Sequence, residues 1–230
     1  MIPNFLGDDC NVDKAFPADN KKIIESLENF AVENIKDARR FLVKIGLKPK
    51  IDKSSFYDLN KNSSIIDISE LTSKIKSGHS AGIISDAGCP GIADPGALLV
   101  NWAHKNKIDV VPLIGPSSIL LALMASGFSG QSFVFHGYLD REKNRRSQQL
   151  KKMVTDSKQL NQTQIFMETP YRNTAIIEDV LSSLNPQTNF CIAANISLPN
   201  EYIRTKSVDE WKKLKIPNLQ KQAAIFLISA

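Results

Sequence analysis

The spacing of apolar side chains predicts two helices near the N-terminus, over residues 21–31 and 34–46. In the second, the apolar residues recur at the helical period and share one face: Ile35, Ala38, Phe41, Leu42 and Ile45. Gly46 follows at the point where a helix would stop, since glycine readily adopts the left-handed conformation that ends many helices. Residues 51–64 are polar and poorly periodic, so a loop is predicted there, and a short helix over 69–77.

Short apolar runs then alternate with helical patterns. Strands are predicted over 81–85, 109–113, 132–139, 163–168, 190–194, 202–205 and 223–229. Helices are predicted from the cap Asp94-Pro95 to Lys105, from Ser117 to Gly127, from Arg146 to Thr155, from the cap Thr169-Pro170 to Leu184, and after the capping box at Ser207. This alternation predicts an α/β fold with parallel strands and crossover helices. We place the domain boundary within 127–131, which gives an N-terminal half 1–128 and a C-terminal half 129–230.

Composition narrows the class of protein. The chain of 230 residues is 42% hydrophobic and 23% charged, and no apolar run approaches the roughly 20 residues of a membrane helix. The N-terminal residues do not match a signal peptide, and the three cysteines are distant from one another. We therefore predict a cytoplasmic protein with reduced thiols, no metal site and no membrane association. The net charge of +5 is compatible with an RNA substrate but does not indicate one.

The segment 85–96, SDAGCPGIADPG, has the strongest chemical pattern. It follows a predicted parallel strand at its carboxyl end, where open α/β sheets bind ligands. Its glycines permit close backbone approach, its prolines stiffen the turn, and Asp86 offers an acceptor for a hydroxyl or amino group. A tight strand-to-helix connection without a ligand explains the same composition.

This segment and the later VVPLIGPSSILLALMASGF together resemble the tetrapyrrole methylase superfamily, in particular its branch that methylates a cytidine 2′-hydroxyl of ribosomal RNA. Weaker similarity continues in 133–139, in 166–172 and in the last predicted strand. The resemblance implies two α/β domains with cofactor and substrate in a cleft between them, and S-adenosylmethionine as the cofactor. It implies cofactor contacts from Ser85, Asp86, Ala87, Gly88, Pro90, Ile92, Gly115, Ser117, Ser118, Met167, Ala194 and Ala224.

Candidate catalytic and substrate-binding residues flank these segments. Glu33 and Glu168 are candidates to orient or deprotonate an acceptor, although Glu33 also suits a helix N-terminus and Glu168 a helix cap. The candidate substrate-binding residues are Arg39, Arg40, Tyr171 and Arg172. A basic cluster over 141–152 is explained either by RNA binding or, more simply, by a solvated turn and helix face.

Three departures from the family pattern fall where substrate handling is expected. The family's A-R-E-L-T-K is here AANISL at 193–198, its E-D-T-R is ENIK at 33–36, and its opening T-P-I-G-N turn is reduced. We expect Ile2-Pro3 to be the end of the family's opening strand, so that the chain given begins inside it. The leading hypothesis is a methyltransferase acting on ribosomal RNA as a homodimer. The alternatives are methylation of a tetrapyrrole or another small metabolite, and a non-catalytic protein that binds the cofactor or RNA.

Overall fold

A computed structural model describes residues 1–230. The chain divides into two compact units, Met1–Ser117 and Ser118–Ala230. The first contains the helices α1 (Val12–Ala15), α2 (Ala18–Ser26), α3 (Ile35–Lys44), α4 (Ser69–Lys76) and α5 (Gly96–Lys105), a 3-10 helix (Lys48–Lys53), and the strands β1 (Asn29–Val32), β2 (Ser55–Asp58) and β3 (Ala81–Ile84). The second contains α6 (Ser118–Ser126), α7 (Lys143–Leu160), α8 (Asn173–Ser183) and α9 (Val208–Lys212), with β4 (Phe133–Tyr138), β5 (Thr163–Glu168), β6 (Asn189–Ala194), β7 (Tyr202–Ser207) and β8 (Ala224–Ser229).

The sheet of the first unit is parallel and has the strand order β2-β1-β3. Its central strand β1 has all four residues buried, because both neighbours and both faces are covered. Helix α3 begins at the predicted place, where the Asn34 side chain accepts from the N–H groups of Lys36 and Asp37. It buries Ala38, Phe41 and Leu42. The predicted helices 34–46 and 69–77 and the strand 81–85 are therefore confirmed to within two residues at each end.

Two predictions for the first 64 residues are wrong. The helix predicted over 21–31 ends at Ser26, and residues 29–32 form β1. A fully buried strand has no alternation to distinguish it from a buried helix segment, so periodicity failed there. The loop predicted over 51–64 contains β2. This strand lies at the edge of the sheet and is partly exposed, so polar residues are tolerated in it. Its pairing with β1 comes from distant backbone and not from its own apolar pattern.

The strand predicted over 109–113 does not form part of either sheet. Leu113 N–H donates to the carbonyl of Met1 at 2.9 Å, and the Met1 ammonium group donates to the carbonyl of Val111 at 2.9 Å. Ile2 N–H in turn donates to the carbonyl of Ile83 at 2.8 Å. The segment is thus linked to β3 through the N-terminal residues, but it has too few backbone bonds to form a strand.

The second unit has a mixed five-stranded sheet with the order β4-β5-β8-β6-β7. Strands β4 and β5 are parallel, and β8 runs antiparallel to both β5 and β6. Its core contains the stacked rings of Phe166, Phe226 and Phe190, and buried Trp211 donates its indole N–H to the carbonyl of Phe190 at 2.8 Å. The strands predicted in this half and the capping box between Ser207 and Glu210 are confirmed.

Three boundaries in the second half differ from the prediction. Helix α6 packs on β7 and β8, and Thr205 Oγ1 donates to the carbonyl of Ser126 at 2.6 Å, so the division falls before this helix instead of after it. Helix α7 is longer at both ends than predicted. Helix α8 begins at Asn173 and not at Thr169-Pro170, because Arg172 N–H donates to the Thr169 carbonyl and closes a turn first. None of the helices is long and apolar enough to span a bilayer.

Candidate functional site

Two strands of the first unit end beside each other and place Glu33 next to the segment 85–96, named here the SDAG loop. Val32 at the end of β1 pairs with Ile84 at the end of β3. Glu33 and Ser85 therefore both lie at the carboxyl edge of the sheet. The Asp86 N–H points toward Glu33 Oε1 at 3.5 Å, a long hydrogen bond. The predicted site residues Glu33, Ser85 and Asp86 are thus brought together in one place.

The SDAG loop is held from both ends by buried or half-buried polar side chains. Asn4 Nδ2 donates to the carbonyls of Ser85 at 2.9 Å and Asp86 at 3.1 Å, and the Asn4 backbone pairs with Gly88. At the other end, Asp94 Oδ1 accepts from the N–H groups of Gly91 at 2.5 Å and Gly96 at 2.8 Å. Asp94 therefore closes the loop on itself, but the prediction that it caps α5 with Pro95 as the first helical residue is wrong, because the helix begins at Gly96 and Pro95 occupies the N-cap position.

Glycine is required at two points of the site. Gly88 has a φ of 69°, in the left-handed region where an L side chain is strained. At Gly115 a Cβ atom would lie 2.4 Å from Cβ of Pro3, so only glycine allows this close packing. The second predicted turn also approaches the first, since Cys89 Sγ lies 3.5 Å from the carbonyl of Pro116. The two turns of the first unit are therefore packed together and fixed.

Carboxylates dominate the electrostatics of the loop. Burial, with the nearby charges of Asp86 and Asp94, raises the pKa of Glu33 above its ordinary value. Burial, with the charges of Asp37 and Asp94, likewise raises the pKa of Asp86. No three side chains of His, Cys, Asp or Glu in the chain meet so as to hold a metal ion. The arrangement favours an organic cation or a hydroxyl donor at the loop.

The SDAG loop presents an exposed surface. Asp86, Ala87 and Ile92 are exposed, while Ser85, Gly88 and Pro90 are buried and support the turn. A small polar cavity of about 140 Å³ adjoins the loop and is lined in part by Asn4–Asp8, Asp37, Arg40, Asp86 and Ala87. A larger apolar cavity of about 430 Å³ lies at the amino end of β3, beside residues 78–83, away from the predicted site residues.

The predicted substrate arginines lie on exposed positions of α3, directly after Glu33. Arg40 Nη2 forms an ion pair with Asp37 Oδ1 at 2.6 Å, and its side chain is 59% exposed. The Arg39 guanidinium lies over the Phe56 ring, 5.4 Å from its centroid. Arg40 therefore lies on the surface beside the SDAG loop, where it shares a cavity with Asp86, whereas Arg39 lies against β2.

In the second unit, three predicted site residues lie in one row across the sheet. Glu168 pairs with Ala224, and Ala224 pairs with Ala194. Met167 is adjacent, opposite Ile225. The row therefore groups the residues that the family resemblance assigned to the cofactor in this half. Ser118, also assigned to the cofactor, is the first residue of α6.

Glu168 is engaged in structural contacts. It is 4% exposed, its Oε1 accepts from the Thr169 N–H at 2.7 Å, and its Oε2 lies 3.1 Å from Arg172 Nη2 as an ion pair. Arg172 also donates to the carbonyl of Asp140 at 3.2 Å. These contacts favour an anchoring role for both residues. Tyr171, by contrast, is 74% exposed and free to contact a ligand.

The basic cluster over 141–152 is not uniformly a solvated surface. Arg146 is buried and forms an ion pair with buried Asp179, with Nε at 2.6 Å and Nη2 at 2.5 Å from Oδ2. Its Nη1 donates to the carbonyls of Asp140 and Arg141. Arg146 is therefore a structural residue and is removed from the possible RNA contacts.

Sequence reasoning did not identify Asn4 as part of the site. No local pattern marks it, because its partners Ser85 and Asp86 are about 80 positions away along the chain. Asp37 was missed for the same reason: it reads as an ordinary first-turn acid of α3. Only the packing of α3 beside the SDAG loop places its charge near Asp86.

Comparisons with known proteins identify the family of the chain. The model of the family "Tetrapyrrole (Corrin/Porphyrin) Methylases" matches residues 25–211. A "Ribosomal RNA small subunit methyltransferase I" of Thermotoga maritima is 34% identical over 172 residues, which is 74% of this chain and 73% of that protein. A protein of the same name from Synechocystis sp. is 31% identical over 64% of this chain and 50% of its own length. The chain thus spans about half to three quarters of these relatives.

Solved structures share the fold at low sequence identity. A diphthine synthase has a TM-score of 0.66 at 11% identity, covering 99% of this chain and 88% of that one. A uroporphyrin-III C-methyltransferase of Thermus thermophilus, solved with S-adenosylhomocysteine, has a TM-score of 0.53 at 12% identity over 94% of this chain and 91% of its own. At these identities the likeness concerns the fold alone.

The matched family and the named relatives place this α/β chain among the methyltransferases. More particularly, it belongs to the tetrapyrrole methylase family. The predicted family, the α/β fold class and the enzyme class, a methyltransferase that uses S-adenosylmethionine, are confirmed. The individual site residues stay predictions.

Proposed function

We propose that this chain transfers the methyl group of S-adenosylmethionine to a ribose 2′-hydroxyl of ribosomal RNA. The observation that carries the proposal is the SDAG loop, held by Asn4 and Asp94, with Glu33 beside it. The names of the relatives support ribosomal RNA as the acceptor. A tetrapyrrole or another small acceptor is an outcome that the experiment below distinguishes.

The residues of the loop fit this cofactor. S-adenosylmethionine carries a positive sulfonium, an ammonium group and ribose hydroxyls, and it supplies an electrophilic methyl group when bound. Exposed Asp86 is the acceptor for a hydroxyl or the ammonium group, and the fixed carbonyls of 85–88 provide further acceptors. Because Asn4 and Asp94 already order the loop, binding loses little conformational entropy. Gly88 permits the left-handed turn of the loop, and Gly115 permits the second turn to pack closely on Pro3.

Glu33 is our candidate for the group that accepts the proton or hydrogen bond of the acceptor hydroxyl. Its pKa is raised by burial and by Asp86 and Asp94, which makes its carboxylate a stronger base than an ordinary glutamate. Glu168, the other predicted catalytic residue, is buried and paired with Arg172. We therefore propose that Glu168 supports the sheet end near Met167, Ala194 and Ala224 and does not transfer protons.

Calorimetric titration with S-adenosylmethionine tests the cofactor site. We expect micromolar binding that is weakened at least ten-fold by Asp86→Asn and abolished by Gly88→Val, because the first removes a charged acceptor and the second strains a left-handed residue. Asp109→Asn is the matched control, since Asp109 lies at the apolar cavity and not at the loop. The absence of binding heat and of any thermal shift with the wild-type chain would refute the cofactor assignment.

Labelled methyl transfer tests the acceptor. Small ribosomal subunits from a strain that lacks the gene are incubated with the protein and labelled cofactor, and the RNA is digested to nucleosides. We expect label in a 2′-O-methylated nucleoside. Cofactor binding without transfer to RNA, or transfer to a tetrapyrrole, would contradict the ribosomal RNA assignment and leave the cofactor site intact.

The location and the assembly of the protein are separate proposals. We propose that the protein acts in the cytoplasm, since its three cysteines form no disulfide and are mostly buried. We also propose a homodimer, which rests on the family resemblance alone. Light scattering on the purified protein at micromolar concentration measures the mass in solution, and a mass near 25.5 kDa would indicate a monomer.

A further inference from the structure

Two short segments of the chain are strongly basic: residues 35–53 in the first unit, and residues 141–152 in the second unit, which contain six Lys and Arg residues and one Glu. Residues 35–53 contain seven Lys and Arg residues and two Asp residues, a formal net charge of +5. The whole chain also carries +5, so the remaining residues balance at 22 cations and 22 anions. A modest net charge therefore conceals a strongly basic region in α3 and the 3-10 helix.

Most of these cations have no carboxylate partner. Only Arg40 has an acidic oxygen within 4.0 Å, on Asp37. Lys44 is set aside because its Nζ donates to the carbonyls of Gly7 and Asp8. The remaining cations are named here the α3 basic surface: Lys36, Arg39, Arg40, Lys48, Lys50 and Lys53. Five of these six are exposed, and Lys50 is half-buried.

The surface is shaped as well as charged. One face of α3 borders a shallow open depression of about 600 Å³, lined in part by Ile35, Lys36, Arg39 and Val43. The Arg39 guanidinium is stacked on the Phe56 ring, which orients its donors before a ligand arrives. Val43 is the only large apolar side chain exposed on α3 or the 3-10 helix. So little exposed apolar surface favours a soluble polyanion over a membrane.

The α3 basic surface begins at the candidate base. Asn34 caps α3 directly after Glu33, and Lys36 follows within the first turn. Arg40 shares the small polar cavity with Asp86 of the SDAG loop. A strand of RNA that follows these cations would therefore have a ribose close to Glu33.

We propose that the α3 basic surface binds the phosphate backbone of the RNA acceptor and positions one ribose at Glu33. This inference rests on the proposed function, because it assumes an RNA acceptor. The contacts are with phosphates, so they contribute affinity and orientation and do not select the base. Arg39 and Arg40 present planar donor groups suited to paired contacts with phosphate oxygens, whereas the lysines act as point charges.

The test replaces four lysines of the surface, Lys36→Ala, Lys48→Ala, Lys50→Ala and Lys53→Ala, in one variant. Binding to a labelled fragment of small-subunit RNA is followed by fluorescence anisotropy over a range of salt concentrations. Each lost phosphate contact lowers the salt slope by about 0.7–0.9, so we expect a slope lower by about 3. At about 0.15 M salt, a rise of ten-fold or more in Kd and KM for RNA is expected.

The matched control removes the same charge elsewhere: Lys105→Ala, Lys158→Ala, Lys212→Ala and Lys215→Ala, all exposed and without carboxylate partners. We expect this variant to keep the wild-type salt slope and KM. Both variants must retain the wild-type Kd for S-adenosylmethionine in calorimetry, which shows that the first unit is intact. A second surface variant, Arg39→Lys, keeps the charge and is expected to raise KM several-fold with little change in slope.

The outcomes separate the two proposals. If the wild-type chain methylates RNA and the surface variant does so with unchanged KM and slope, the surface proposal is overturned and the proposed function stands. An equal loss of RNA affinity and salt slope in the control variant would show that net charge alone causes the effect, and this would also overturn the surface proposal. Binding of the surface to vesicles of anionic phospholipid with no binding to RNA would overturn it in favour of a membrane. If the wild-type chain binds the cofactor but neither binds nor methylates RNA, the acceptor assignment fails first.

Discussion

Replacement of Asn4 by alanine should loosen the SDAG loop from a position that is not part of it. The Asn4 side chain donates to the carbonyls of Ser85 and Asp86 and accepts from the N–H of Phe5 at 2.8 Å. Each hydrogen bond contributes about 1 kcal/mol, and the buried Ser85 carbonyl left without its donor costs about 1 kcal/mol or more. We therefore expect Asn4→Ala to lower the free energy of loop opening by about 2–3 kcal/mol.

Hydrogen exchange is the appropriate measurement, since it reports opening of one segment even when the two units unfold separately. The N–H of Gly88, within the SDAG loop, donates to the Asn4 carbonyl at 3.1 Å. Its exchange rate therefore reports the opening of the loop directly. A loss of 2–3 kcal/mol corresponds to exchange about 30 to 150 times faster at Gly88. The Kd for S-adenosylmethionine should rise about ten-fold or more, because part of the binding energy must then order the loop.

Two further variants test whether the hydrogen bonds of the Asn4 side chain hold the SDAG loop. Asn4→Asp keeps the acceptor for Phe5 but points a carboxylate at two carbonyl oxygens, so it should loosen the loop at least as much as alanine. Asn62→Ala, in an exposed turn of the same unit, should change neither exchange at Gly88 nor cofactor binding. Exchange at Gly88 within three-fold of the wild type in Asn4→Ala would show that other contacts hold the loop, and the reasoning would be wrong.

Two other changes test the energetics of the two units. Asp179→Ala leaves buried Arg146 without its partner and should lower the free energy of unfolding of the second unit by about 3–5 kcal/mol, measured by urea unfolding and the fluorescence of Trp211. Arg145, whose side chain is 71% exposed, pairs with Glu142 at the surface, so Arg145→Ala should lower this free energy by under about 1 kcal/mol, and equal effects of the two changes would contradict this. The pKa of Glu33 is raised in the folded chain. Protonated Glu33 therefore stabilises the folded state below the ordinary glutamate pKa of 4.5, and this stabilisation is lost as the pH rises through the raised pKa of the folded state. As the pH rises from 4.5, the melting temperature of the Glu33→Gln variant should therefore change less unfavourably than that of the wild type. Parallel plots of melting temperature against pH for the two proteins would exclude the raised pKa.

The segment 85–96 could be interpreted from the sequence because its information is local. The left-handed conformation of Gly88 suits its residue type, and Asp94 accepts from the nearby N–H groups of Gly91 and Gly96. The same holds for the start of α3 at Asn34 and for the capping box at Ser207. In the contacts of Asp94, Asn34 and Ser207 the donor and the acceptor are within a few residues of each other, so their spacing in the sequence indicates the local structure.

Tertiary structure decided the elements and contacts whose partners are distant in the chain. Strand β1 reads as the end of a helix because it is buried on both faces, and β2 reads as a loop because its pairing comes from β1. The contact of Asn4 with the SDAG loop and the burial of Arg146 against Asp179 likewise depend on chain segments brought together by folding. A hydrogen bond or ion pair over such separations leaves no periodic trace in sequence, because its geometry exists only after the core has packed.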